Sequence, residues 1–217
     1  MIYSDLLPKR SGGVVLNLEL RILLAINHAA AASPLLSHLA VFFATYGPEI
    51  YAVTLTVLFF ALPRHATRAR RALIYATLSA GVSVLITMAI SLIVFRERPE
   101  FAYPLLVHAL VKHGNDSSFP SDHATGAFAI ATAMFFGGAA LGWPYLVVAV
   151  LIAVARVAVG VHWPTDVLAG AVIGTAVALL LLRYRSVIEA PVARFIRIFG
   201  FDPGEDRPPM RMRRKGA

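Results

Sequence analysis

Residues 72–95 read ALIYATLSAGVSVLITMAISLIVF, a run without one acidic or basic side chain. A helix needs about 20 apolar residues to cross a bilayer, and this run exceeds that length. Residues 124–155 are likewise free of Asp, Glu, Lys and Arg. Just before the first run, Pro63 to Arg71 carries Arg64, Arg68, Arg70 and Arg71 with no acid. Arginine-rich loops of this kind face the cytoplasm, so 72–95 is expected to run outward and the polar segment 96–121 to lie outside. Alternation then brings 122–140 back to a turn at Gly142-Trp143-Pro144, sends 144–160 out and returns 165–183. The stretch from Arg183 onward holds nine basic and four acidic residues, as a cytoplasmic tail would.

Composition agrees with a membrane chain. The 217 residues amount to one domain, 58% of them hydrophobic and only 15% charged, with mean hydropathy +0.71. That excludes an ordinary soluble protein. The net charge of +8 sits between and after apolar runs, which points to anionic lipid and not to nucleic acid. No cysteine is present, so disulfides, thiol catalysis and thiolate metal sites are excluded. The N-terminus lacks a basic start, short apolar core and small-residue cleavage site, so the first spans are expected to serve as the address.

Elsewhere the pattern is less regular. Residues 1–15 read as loose. Residues 16–32 read as a helix, but Glu19, Arg21, Asn27 and His28 make it a poor span and suggest an interfacial position. Ser33-Pro34 suits a helix start, and the apolar run that follows reaches Leu62 with Gly47-Pro48 inside it. Either one kinked helix covers 34–62, or a short surface helix ends at Tyr46 and a span starts at Pro48. The second reading is adopted, because it sets Glu49 at the membrane face and not in hydrocarbon. Residues 191–200 suit an amphipathic surface helix. The expectation is an all-α polytopic helical bundle with about five full transmembrane helices, or six, plus an N-terminal interfacial helix. Residues 1–200 form the single domain and 201–217 a disordered basic cytoplasmic tail.

Three polar clusters fall on the face opposite the arginine loop: Arg96-Glu97-Arg98-Pro99, Pro120-Ser121-Asp122-His123, and Arg156 through His162 to Asp166. In the second, proline stiffens a helix entry and the serine oxygen can cap free N–H groups, while the dipole attracts an anion. Arg156 interrupts an uncharged helix near its outer end. A lone arginine there needs an interior partner or must snorkel to the interface. Asp166 follows His162 by four residues and is placed to accept a hydrogen bond from one ring nitrogen, leaving the other free as nucleophile or base. A metal held by His123, His162, Asp122 and Asp166 is the rival reading, but the arginines would repel a cation. Arg98 and Arg156 beside a helix N-terminus suit a multiply charged oxyanion, and phosphate fits best. His162 would then attack phosphorus while His123 handles the leaving-group proton and the water, with no metal or cofactor.

In these residues the chain resembles the type 2 phosphatidic acid phosphatase superfamily. Its three-part signature is Lys, six residues, Arg-Pro; then Pro-Ser-Gly-His; then Ser-Arg, five residues, His, three residues, Asp. Here Arg98-Pro99, Pro120-Ser121-Asp122-His123 and Ala155-Arg156 through His162 to Asp166 follow in that order and spacing. The resemblance implies His162 as nucleophile, Asp166 as its orienter and His123 as acid and base. It makes Arg98, Arg156 and Ser121 phosphate binders. Three positions depart from the signature. Ser91 stands at the lysine, with Arg96 a candidate replacement as a phosphate contact. Asp122 stands for glycine, its N–H able to bind phosphate but its carboxylate repelling unless turned away or paired with Arg96 or Arg98. Ala155 stands for serine.

Asp122 and the pattern Ala25-Ile26-Asn27-His28 leading to Tyr46-Gly47-Pro48 are similar to bacterial undecaprenyl-diphosphate phosphatases of the bacitracin-resistance type. That implies hydrolysis of the carrier diphosphate at the outer face of the plasma membrane, with the bilayer and a lipid phosphate as partners. Phosphatidate, phosphatidylglycerophosphate or lipid A phosphates as substrates, phosphotransfer to another acceptor, and a non-catalytic lipid-phosphate dock are the alternatives. His108 and His113 read as loop histidines, Glu49 as a cap or pairing group, and Trp143 and Trp163 as interfacial anchors. Residues 103–111 read as a surface rim, with Leu105, Leu106, Ala109 and Leu110 towards lipid.

Overall fold

The computed structural model describes residues 13–138 and 141–201, with side chains from Leu18. The expected loose start and the basic tail at 202–217 lie outside the described residues, apart from the start of the first helix. Phe201, assigned above to the tail, instead packs under the Arg70 guanidinium at 3.9 Å.

Eight helices are described and no strand: α1 Gly13–Ala32, α2 Pro34–Ala61, α3 Thr67–Ile93, α4 Pro99–Ala102, α5 Asp122–Phe136, α6 Gly142–Ala158, α7 Pro164–Arg183 and α8 Arg185–Ile198. By length and composition α2, α3 and α7 can cross a membrane, and α6 is a shorter apolar helix. The 15-residue α5 runs among α3, α6 and α7. Nine of its residues are buried, from Ala124 to Met134, and most are Ala or Thr. Small side chains let neighbouring backbones approach, which is how helices associate where lipid offers no hydrophobic drive. Gly170 and Gly174 of α7 complete that approach: a Cβ on Gly170 would stand 2.7 Å from the Ser121 carbonyl.

The expected break at Pro48 does not occur. Residues 34–61 form one helix with Pro48 inside it, opened by Ser33, whose Oγ accepts from the Leu36 N–H. Proline removes the N–H that would bond the carbonyl of residue 44. Nη1 of Arg156, on α6, supplies a donor to that carbonyl at 3.1 Å. At the same level Gly47 lets Ile152 of α6 come so close that a Cβ would meet it at 2.7 Å. Glu49 remains exposed.

Helix α1 packs on α2, α6 and α7. Its polar residues are not simply at an interface. Glu19 and Asn27 are buried on the same face as Leu20, Leu23 and Ala30. Asn27 donates to the carbonyls of His108 and Ala158, both at 2.8 Å, and accepts from the His108 N–H. The rim 103–111 is thereby tied down: Leu105 is exposed as expected, but Val107 is buried and Leu110 packs inward. The C-terminal amphipathic helix is longer than expected, starting at Arg185 and resting Val192 and Ile196 against the core. At that end, opposite α4, Arg70 is buried and donates to the Phe59 and Leu62 carbonyls, closing the C-terminus of α2.

Candidate active site

The three polar clusters meet where α3 and α6 finish and α5 and α7 begin. Arg98 precedes Pro99 at the start of α4 and is 4% exposed. Its Nε donates to Asp116 at 2.9 Å, its Nη1 to the Val161 carbonyl at 2.9 Å and its Nη2 to the Ser117 carbonyl at 3.3 Å. Burial raises the Asp116 carboxyl, but the hydrogen bond and charge of Arg98 outweigh it and hold the group below its usual value. Arg156, on the last turn of α6, is equally buried.

His162 lies between these two arginines and is 3% exposed. Nη2 of Arg156 is 3.2 Å, and Nη1 of Arg98 3.5 Å, from its Nε2. Its Nδ1 is 2.8 Å from the Ser118 carbonyl. These partners assign the tautomer. Guanidinium groups only donate, so Nε2 is the acceptor; a carbonyl only accepts, so Nδ1 carries the proton. Burial, then the charges of Arg156 and Arg98, keep the ring well below the usual histidine value and therefore neutral. The result is an unprotonated nitrogen whose lone pair points into a cationic seat.

Other donors around it lack partners. The hydroxyl of Ser121 and Nε of Arg156 are buried without a hydrogen bond. Ser121 sits at the start of α5, yet its side chain does not cap the helix as expected. The hydroxyl stays free for a ligand instead. An anion at a helix N-terminus beside two guanidiniums would satisfy such groups. His123, on the first turn of α5, is within electrostatic range of Arg156, His162 and Arg98 and makes no hydrogen bond to the described residues.

Several expected roles change. Asp166 does not hydrogen-bond His162: its Oδ2 is 3.8 Å from Nδ1. Following Pro164, it folds back to accept from the Trp163 N–H at 2.8 Å, and its Oδ1 accepts from Arg96 at 2.6 Å. Arg96 is not beside His162 Nε2 with the other two arginines. Its guanidinium is engaged by Asp166, by Thr165 Oγ1 at 2.6 Å and by Glu19 at 2.8 Å, and lies 5.0 Å from the Trp163 ring. Ser91 merely bonds the Met88 carbonyl. The Asp122 carboxylate accepts from Thr87 of α3, not from Arg96 or Arg98. Trp163 is buried, donating to the Glu97 carbonyl at 2.9 Å, whereas Trp143 is exposed as an anchor would be. Among the described residues no three His, Asp or Glu side chains stand together as metal ligands.

The residues that sequence reasoning missed are mostly supports. Glu19 accepts from both the N–H and the hydroxyl of Thr165. Its spacing of four from Leu23 and eight from Asn27 marks one helix face, a legible signal. Gly170 and Gly174 form a small-xxx-small pair, another usable signal. Asp116, Ser117 and Ser118 lie in a loop and offered none. Glu100 is buried with Oε1 unbonded; burial raises its carboxyl, against Arg98 and Arg156. His113 stands 3.4 Å from Asp116, and His108 rests edge-on against His28.

Comparison with known proteins gives the family. The PAP2 superfamily model matches residues 71–189. A protein of Bacillus subtilis named undecaprenyl-diphosphatase BcrC is 33% identical over 175 residues, 81% of this chain and 88% of its own. A Mycobacterium tuberculosis protein named decaprenylphosphoryl-5-phosphoribose phosphatase is 37% identical over 122 residues, 56% of this chain and 63% of its own. The crystal structure of Aquifex aeolicus LpxE superposes with TM-score 0.62 at 28% identity, covering 85% of this chain and 100% of that one. With its signature residues gathered about one buried imidazole, this chain belongs to the PAP2 superfamily and is a membrane phosphatase of the bacitracin-resistance type.

Proposed function

We propose that the chain hydrolyses undecaprenyl diphosphate to the monophosphate through a phosphohistidine on His162, at the outer face of a bacterial plasma membrane. The observation that carries this is the pair of guanidiniums converging on unprotonated Nε2 of His162. A terminal phosphate seated there receives the Nε2 lone pair at phosphorus. The bond from phosphorus to the bridging oxygen breaks, and undecaprenyl phosphate leaves with its electron pair. His123 supplies a proton to that oxygen, then takes one from water as it attacks the phosphohistidine. Inorganic phosphate departs and His162 returns to its starting form. Arg98, Arg156, the Ser121 hydroxyl and the backbone N–H of Asp122 hold the phosphoryl oxygens throughout. Asp166 and Arg96 act as positioning residues.

The substrate reading rests on the name of the Bacillus subtilis relative and on the match over most of both chains. The outward face rests on Arg64, Arg68, Arg70 and Arg71 lying at the opposite end of α3. The mycobacterial relative favours a second reading, a phosphate monoester on a polyprenyl carrier. The same lone pair would attack it.

Phosphate release by the purified chain from a panel of lipid phosphates and diphosphates, with EDTA present, tests the proposal. Undecaprenyl diphosphate should be turned over best, EDTA should change nothing, and His162→Ala should abolish release. Persistent release by His162→Ala would remove the phosphohistidine, and preference for a monoester would replace the substrate.

A further inference from the structure

Pro48 sits inside α2 with its ring exposed, where proline destabilises a helix. Its absent N–H leaves the carbonyl of Ala44 without its helical donor. That carbonyl accepts from Nη1 of Arg156 at 3.1 Å, and Nη2 of the same guanidinium is 3.2 Å from Nε2 of His162. Nε of Arg156 has no partner. Among the described residues, the Ala44 carbonyl is therefore the one oxygen that fixes the plane of this side chain. The backbone can approach because Ala40, Ala44 and Gly47 are small and buried, with Ile152 of α6 against Gly47.

We infer that Pro48 is a positioning residue for the phosphate seat: by withholding a helical N–H it reserves the Ala44 carbonyl for Arg156. Any other residue at 48 would bring back an N–H to compete for that carbonyl, and the guanidinium would lose its fixed plane. The role deepens the proposed function and rests on Arg156 being a phosphate ligand. It is distinct from packing, since the ring is exposed.

The test uses the full chain in detergent and orthovanadate as probe. Pro48→Ala and Pro48→Gly should both raise the vanadate Kd about tenfold, the scale of a hydrogen bond to a charged group. They should do so alike although alanine strengthens the helix and glycine does not, and Pro48→Ala should melt no lower than the native chain. Arg156→Gln should weaken vanadate binding at least as much, and adding Pro48→Ala to it should change nothing more, because coupled residues are non-additive. An unchanged Kd in both Pro48 variants, or a further loss in the double variant, overturns the inference. If the native chain binds no vanadate, the anion seat and this role both fall. If it binds vanadate but does not hydrolyse undecaprenyl diphosphate, only the substrate falls.

Discussion

The Asp166 carboxylate lies 3.8 Å from Nδ1 of His162, while the Ser118 carbonyl lies 2.8 Å from it. The main chain therefore holds the proton that fixes the tautomer, and the carboxylate contributes charge from slightly farther away. Where an aspartate alone fixes a histidine tautomer, conversion to asparagine lowers kcat by about 10⁴. Asp166→Asn should lower kcat here by only about tenfold, because the single carboxamide oxygen can still accept from Trp163 or from Arg96, and one hydrogen bond to the lost carboxylate is the scale of the loss. Steady-state phosphate release decides it: a loss near 10⁴ would mean that Asp166, and not the Ser118 carbonyl, fixes the ring tautomer during turnover.

Arg96 joins Glu19 of α1 to Asp166 of α7. It was the candidate to replace the lysine that Ser91 lacks, yet its donors are already taken. Arg96→Ala should leave vanadate affinity within about threefold. It should nonetheless destabilise the chain by about 2–3 kcal/mol, because two largely buried carboxylates lose their cation, partial exposure of the arginine keeping the loss below that of a fully buried pair. Adding Glu19→Gln should recover part of that loss. Thermal melting and vanadate titration on the same samples separate the roles; a large affinity loss without destabilisation would return Arg96 to the seat.

The helical bundle and the meeting of Arg98, Arg156 and His162 are legible in the sequence. Charge-free runs such as 72–95 demand spanning helices, and Arg156, His162 and Asp166 are close enough in sequence for one helix end and turn to bring them together. What could not be read depends on partners from distant helices. Pro48 breaks a helix in isolation, but α6 supplies a donor to the orphaned carbonyl. Arg96 reads as a phosphate contact and Trp163 as an interfacial anchor until Glu19 engages the first and the Glu97 carbonyl the second. The partner of Asp122 is not legible because Thr87 belongs to another helix.

The buried, cation-flanked setting of His162 predicts its pH behaviour. Its folded value lies well below the usual 6.5, so the unfolded chain binds more protons between those values. Stability from this group is fully present above about pH 6.5 and falls as pH drops towards the folded value. Melting temperature should decline across that window in the native chain and less steeply in His162→Asn. Phosphohistidine formation in single turnovers should show no loss down to about pH 6. An acid limb near 6.5 in that step would contradict the neutral, arginine-held ring.

Gly174 of α7 has no room for a side chain: a Cβ there would collide with the Thr125 carbonyl and stand 2.9 Å from the Ala129 N–H nitrogen. Both obstacles are backbone of α5, the helix that carries Ser121 and His123 at its start. Gly174→Ala must push α5 from α7, at a cost of about 1–3 kcal/mol for overpacking. Because a shift near 1 Å at reacting groups costs about 10² in rate, turnover should fall roughly a hundredfold. Gly81→Ala is the control, since a Cβ there meets nothing within 4 Å, and the helix should gain slightly from alanine. Phosphate release and melting curves for the two variants make the comparison. Equal activity in both would mean that the α5–α7 contact does not set the position of His123 and Ser121.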